Sequence, residues 1–399
     1  MRRGRRAVGA AAWLTCFAVV PACTAQALAF REVAAARRPH PREIEVESFL
    51  AEVAEAAAGG GAWLLEAPTA LALTGGRRPD RGDTELDLGV AIQLPIHADR
   101  HRRLDLATAL SESNDALRRS QVAVALADLA AAYARAWLAQ AEVELRAEDL
   151  AITEAWLEAT RRRVDAGADP PYESILVGGE RDRALLELVA ARREVELAWG
   201  ELSQLAALTP RPTPLDLSSL PEQRDVSPAA EATGAAALAG IEARRDLELL
   251  LARARFAAAS SRWAVEGDAA REGEEENIAH VGVAYRFARQ GEKAANASAQ
   301  SAAEAAAESG AATESAALRA RLVSAQVALA SQAPVLEEGD LEEARRALES
   351  RLAEGKERAS AVLPLRRQLL DAALASAGAR AARAQAMAEL FLLEGGDPR

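Results

Sequence analysis

The side chains best placed to do chemistry cluster around one turn. Asp165, Asp169 and Glu173 flank the segment Gly167-Ala168-Asp169-Pro170-Pro171. Carboxylates gathered at a constriction favour cations and repel anions; the same residues also read as solvated loop acids, because charged turns are common. His97 and His101 stand four apart around Asp99 at the start of a helical stretch, a spacing that suits a metal as well as an ordinary polar rim. Cys23 follows Val20-Pro21-Ala22, which loosely resembles a bacterial lipobox. No Ser/His/Asp or Cys/His nucleophile set, H-E-x-x-H helix or phosphate-cradling glycine loop is visible, so the sequence gives no support for an enzyme or a cofactor.

The elements that must position these residues are unusual. The chain of 399 residues is half apolar but only 4% aromatic, and much of its apolar content is alanine. Small side chains let helices pack closely. The formal charge of −12 argues against a nucleic-acid partner. Arg2, Arg3, Arg5 and Arg6, the apolar run Ala7–Val20 and the A-x-A site Ala27-Leu28-Ala29 form an export signal over residues 1–29. Its removal takes four arginines and both cysteines, Cys16 and Cys23, leaving 44 basic against 60 acidic side chains and no thiol for a disulfide or a metal.

Beyond the signal no run of 18 uncharged apolar residues occurs. Residues 30–41 are basic and expected to be irregular. Glu43–Ala58 reads as a short helix, Gly75-Gly76 with Pro79–Asp83 as a turn, and Leu86–Leu94 as a strand with Leu86, Leu88, Val90, Ile92 and Leu94 on its apolar face. From Ala98 to Asp165 there is neither proline nor glycine, and a heptad apolar pattern through Leu126, Tyr133, Val143, Leu150 and Leu157 predicts a coiled-coil-like rod on the order of 100 Å long. The Gly167 turn ends it, and Tyr172–Leu208 predicts a helix about half as long.

The pattern then recurs. Residues 209–228, with Pro210, Pro212, Pro214 and Pro221, form a linker. A helix near Ala229–Ser261, a charged turn Gly267–Glu276, and a strand Ala279–Phe287 with Val281, Val283, Tyr285 and Phe287 on one face follow. A rod Glu292–Ala353, the Gly355 turn and a helix to Glu394 complete it. Self-similarity on this scale makes residues 30–208 and 229–399 two internal repeats. The expected fold is therefore mainly α with short β, long coiled-coil-like helices carrying four short strands per chain. Nine residues in a strand tilted by about 40° cross about 23 Å, close to the apolar band of an outer-membrane barrel. Four strands cannot close a barrel, so copies of the chain would have to share one.

On these residues the chain resembles the TolC-like outer-membrane efflux family. Leu88-Gly89-Val90-Ala91-Ile92-Gln93-Leu94-Pro95 resembles the family's strand entering the first long helix, and Val281-Gly282-Val283-Ala284-Tyr285 its second-repeat counterpart. Ala132-Tyr133 through Trp137-Leu138-Ala139 is similar to the mid-helix pattern. Arg163-Val164-Asp165-Ala166-Gly167 and Arg351-Leu352-Ala353-Glu354-Gly355 resemble the two periplasmic tips, and Gly240–Ala257 the start of the second repeat. The resemblance implies a homotrimer in the outer membrane of a Gram-negative bacterium, a β-barrel continued by an α-helical tunnel through the periplasm. It implies a passive duct for small molecules, metal ions or exported proteins, coupled to an inner-membrane pump through a periplasmic adaptor at tips carrying Arg163, Gly167, Arg351 and Gly355. In a trimer Asp165, Asp169 and Glu173 would form acidic rings. Pro170-Pro171, Pro364 and the short N-terminal helix depart from the pattern. The alternatives are a soluble periplasmic coiled-coil scaffold, an adaptor-like protein without a membrane barrel, and an inactive, decayed duct.

Overall fold

A computed structural model describes residues 27–58, 70–77, 84–91, 98–209, 212–221, 234–257, 262–272, 276–286, 290–330 and 357–397, with isolated helical positions between 339 and 350. In chain order the elements are α1 (Phe30–Ala35), α2 (Pro41–Ala58), β1 (Ala70–Arg77), β2 (Thr84–Ala91), α3 (Ala98–Asp165), α4 (Pro171–Leu205), a 3-10 turn (Leu217–Ser219), α5 (Ala235–Ala257), β3 (Arg262–Glu272), β4 (Glu276–Arg286), α6 (Gln290–Ala330) and α7 (Ala359–Leu393).

The backbone of the fold is α3, whose 68 residues span roughly 102 Å at 1.5 Å per residue. Freedom from proline and glycine lets its hydrogen-bond ladder run unbroken. Helices α4 and α7 pack along the half nearer Asp165, and α2 and α5 along the half nearer the strands. At mid-length α3 is enclosed by neighbours, and there most of its buried residues are small (Ala123, Ala125, Ala127, Ala130, Ala132, Ala134, Ala136 and Ala139), set around the larger Leu126, Leu129 and Tyr133. A window of α3 is long and apolar enough to cross a membrane, yet 67% of it is buried inside the chain, as befits a central packing helix.

Three apolar clusters follow the rod. The largest girdles its middle, where Phe30, Tyr133, Trp199, Leu202, Leu215, Leu220, Leu322, Leu390 and Leu393 meet. Val46, Leu50, Leu106, Leu117, Leu247 and Leu251 pack the strand-side half. Trp156, Leu157, Val177, Val362 and Leu363 pack the turn-side half. Where α5 crosses α3, Ser120 Oγ donates to Ala237 O at 3.0 Å. A Cβ on Gly240 would stand 2.0 Å from Ser120 Cβ, so only glycine permits this crossing.

The structure amends several expectations. Residues 30–35 are helical, because Phe30 and Val33 bury against the middle of the rod. Gly75 and Gly76 lie inside β1, paired with Leu86 and Glu85, and residues 267–272 belong to β3, so both expected turns are shorter. Residues 212–221 are strapped to the rod: Gln140 Nε2 donates to Thr213 O at 2.8 Å and its Oε1 accepts from Leu215 N at 3.0 Å. The helix expected over Ala229–Ser261 is described over Ala235–Ala257, and α4 ends at Leu205 where Leu208 was expected. Pro364 sits within α7 without ending it.

Candidate functional site

Two regions bear on function: the turn joining α3 to α4, and the sheet at the far end of α3. At the turn, Gly167 adopts φ 72°, the left-handed conformation that glycine takes at little cost. Ala168 N donates to Arg163 O at 2.8 Å and Gly167 N to Val164 O at 2.9 Å, the paired bonds of a Schellman cap. Pro171 then opens α4 at a position that needs no N–H. The Pro170-Pro171 pair is thus a helix stop and restart.

The three nominated acids separate here. Asp165 is exposed. Asp169 is buried and held in a two-pronged pair, 2.8 Å from Arg163 Nε and 3.0 Å from its NH2. Glu173 is completely buried and accepts from Ser360 N at 3.0 Å and Ser360 Oγ at 2.8 Å. Its carboxylate thereby meets the positive end of α7. Two of the three acids are therefore structural ties between neighbouring elements, and burial of this kind is invisible in a turn's composition. Arg163 acts on Asp169, and Gly167 shapes the cap. Arg351 and Gly355 lie outside the described residues.

About two turns further from the tip, sequence reading missed a charged cluster. Arg366 is buried, with NH1 2.5 Å from Thr153 Oγ1, NH2 2.6 Å from Asp149 Oδ1 and Cζ 4.8 Å from the centroid of the Trp156 ring. Burial pushes the Asp149 carboxyl above its usual range, and Arg366 pulls it back. Beside it Arg367 pairs with Glu180, whose pKa its hydrogen bond lowers. The contacts Glu173–Ser360 and Glu180–Arg367 both join residues 187 apart. Asp128–Arg321, at mid-rod, joins residues 193 apart. These separations match, to within a residue, the offsets between recurring segments of the sequence, 193 from Leu86 to Ala279 and 188 from Gly167 to Gly355, a signal that could have nominated the pairs.

At the other end, the strands form one antiparallel sheet in the order β1-β2-β3-β4. Register places Leu71, Leu73, Leu86, Leu88 and Val90 on the same face as Trp263, Val265, Val281, Val283 and Tyr285. The opposite face carries Glu85, Asp87, Glu266, Asp268, Glu272 and Glu276 with Arg262, Arg286 and His280. Alternation has period two, so one register serves all four strands. Ile92, Leu94 and Phe287 lie outside the described residues, as do His97 and Cys23, and of His101 only the backbone within α3 is described. Among the described residues no group of three or more His, Cys, Asp or Glu is placed to hold a metal.

No family model matches the sequence, and no curated protein matches it. Solved structures do. The outer membrane protein VceC of Vibrio cholerae superposes with a TM-score of 0.69 at 15% identity, over 92% of this chain and 96% of that one. A membrane protein of Pseudomonas aeruginosa gives 0.68 at 17% identity over 92% of each chain. The CmeC outer membrane channel of Campylobacter jejuni gives 0.68 at 11% identity, over 92% of this chain and 86% of that one. With a long-helix rod, half-length flanking helices and an end-on antiparallel sheet matched over nearly the whole chain, this protein has the TolC-like outer-membrane channel fold.

Proposed function

We propose that the chain is the exit duct of a tripartite efflux or secretion system, seated as a homotrimer in the outer membrane of a Gram-negative bacterium and reaching through the periplasm. The observation that carries this reading is the sheet: one face is mainly apolar, interrupted towards the β1–β2 and β3–β4 turns by Arg77, Thr84, Arg271 and Asn277, the other mainly charged or small, with β1 and β4 at its two ends. A strand edge facing lipid leaves backbone groups without partners, at several kcal/mol each. Pairing β4 of one copy with β1 of the next satisfies them, and three copies give a closed barrel of twelve strands. The 11-residue strands β3 and β4 reach about 36 Å, or roughly 28 Å when tilted by about 40°, enough for an apolar band of about 25 Å.

The helices support assembly as well. Ile175, Leu186 and Leu197 on α4 are 73%, 70% and 68% exposed and eleven residues apart, which sets them along one face. A row of large apolar side chains bare in the single chain suits burial against another copy. In this reading the trimer continues the barrel as a helical tunnel, conducting small molecules, metal ions or exported proteins passively. A periplasmic adaptor grips the tips around Arg163, Gly167, Arg351 and Gly355, and an inner-membrane pump supplies the energy. No catalytic step or cofactor is involved. Any acidic ring at the tip would be carried by Asp165, since Asp169 and Glu173 are engaged within the chain.

The test is the protein mass of the particle extracted from outer membranes, by light scattering corrected for bound detergent, with conductance in planar bilayers. Three chains per particle and discrete channel openings are expected. A monomer, or protein recovered from the periplasm without detergent, would overturn the duct and return the coiled-coil scaffold.

A further inference from the structure

The expected signal boundary falls after Ala29, yet the folded protein uses the residues that this cut would remove. Leu28 pairs with Leu215 in a parallel bridge, its N–H donating to Pro214 O at 2.8 Å. Its carbonyl lies 2.6 Å from Tyr133 Oη, a hydroxyl on a wholly buried ring at the centre of the largest core cluster. The same Oη accepts from Asp216 N at 2.9 Å and stands 3.2 Å from Ser219 Oγ. Leu28 therefore belongs to the junction that straps residues 212–221 to α3.

Ala29 is engaged too. It is the N-cap of α1, its carbonyl accepting from Glu32 N at 3.0 Å and Val33 N at 3.3 Å, while its N–H donates to Glu32 Oε2 at 3.1 Å. Cleavage after Ala29 would remove these acceptors from the first turn of α1. It would also place a new ammonium on Phe30, which is completely buried, stacks edge-on against Tyr133 at 5.6 Å and donates its N–H to Ser219 Oγ at 2.8 Å. Burying a charge there is costly where a neutral amide fits.

We propose that the export signal is cut N-terminal to Leu28, so that Leu28 and Ala29 belong to the mature protein. Small residues at the required spacing occur upstream at Ala25-Gln26-Ala27 and Cys23-Thr24-Ala25, and Cys23 itself follows Ala22. Any of these boundaries keeps the Leu28 junction. The peptidase meets the chain before it folds, so the folded contacts do not shield the Ala29–Phe30 bond; they identify which product makes the complete fold.

The experiment is N-terminal sequencing and intact mass of the protein purified from exporting cells. A chain beginning at Leu28, Gln26 or Cys23, the last with or without added acyl mass, is the expected result. A chain beginning at Phe30, or one retaining the apolar run Ala7–Val20, overturns the proposal. A second arm places two versions behind a foreign signal with a fixed junction, one starting at Gln26 and one at Phe30. The Phe30 version should unfold at a lower temperature, and equal midpoints would overturn the role given to Leu28.

Discussion

At Glu173 and Glu180 the environment of a carboxylate decides its role more than its place in a charged stretch does. Both lie early in α4, both face α7, and each is matched by a donor 187 residues later: Ser360 for Glu173 and Arg367 for Glu180. The sign of the pH effect follows from the Arg367 hydrogen bond, which lowers the pKa of Glu180 from 4.5. Stability from this pair is fully present above that ordinary value and is lost as pH falls through the lowered pKa of the folded state. Wild-type protein should therefore lose thermal stability below pH about 4.5 more steeply than Glu180→Gln does. Parallel midpoint-versus-pH curves for the two proteins would show that the pair carries none of the acid sensitivity. Asp149 acts in the opposite sense: burial raises its pKa by more than Arg366 lowers it, so its ionisation opposes folding.

Among the elements, α3 is the one to which the others are fitted, and its crossing with α5 shows how closely. Gly240 sits against Ser120 with no room for a methyl group, since the added Cβ would overlap Ser120 Cβ at 2.0 Å. Gly240→Ala should cost about 1–3 kcal/mol of stability by overpacking, although alanine is the better helix former. Chemical denaturation in detergent measures it. An unchanged or raised midpoint would mean that α5 moves off α3 without penalty. Among the helices flanking α3, α4 and α5 contribute 35 and 23 residues, and α7 and α2 contribute 35 and 18. The two pairs are therefore similar in described length beside the rod.

For the whole molecule, the polar face of the sheet would line the barrel of the proposed trimer. Glu85, Asp87, Glu266, Asp268, Glu272 and Glu276 outnumber Arg262 and Arg286 on that face in each copy. A lumen of that sign attracts cations. Reversal potentials across a salt gradient should report cation selectivity, and Asp87→Asn with Asp268→Asn should shift them towards zero, as should Asp165→Ala at the tip. Anion selectivity in the wild type, or selectivity untouched by all three substitutions, would remove the electrostatic account. The assembly this supposes also explains why α4 keeps Leu186 and Leu197 bare in the single chain.

Much of the architecture was legible because it rests on periodicity. The uninterrupted stretch Ala98–Asp165 is one helix, ended by Gly167 through the conformation that glycine alone adopts easily. The alternation around Leu88 and Val283 falls on strands in a common sheet, since period two needs no knowledge of partners. What a residue touches across the fold could not be read this way. Asp169 and Glu173 look like loop acids in sequence and are buried ties in space, and Arg366 gives no local hint of Thr153 and Trp156, more than two hundred residues away. Residues 28–29 look like a cleavage site in sequence, and only the position of Tyr133 shows their second use. Local pattern determines where helices and strands form, because their hydrogen bonds are short-range. Burial and pairing depend on which distant surfaces meet, and only the tertiary structure decided those.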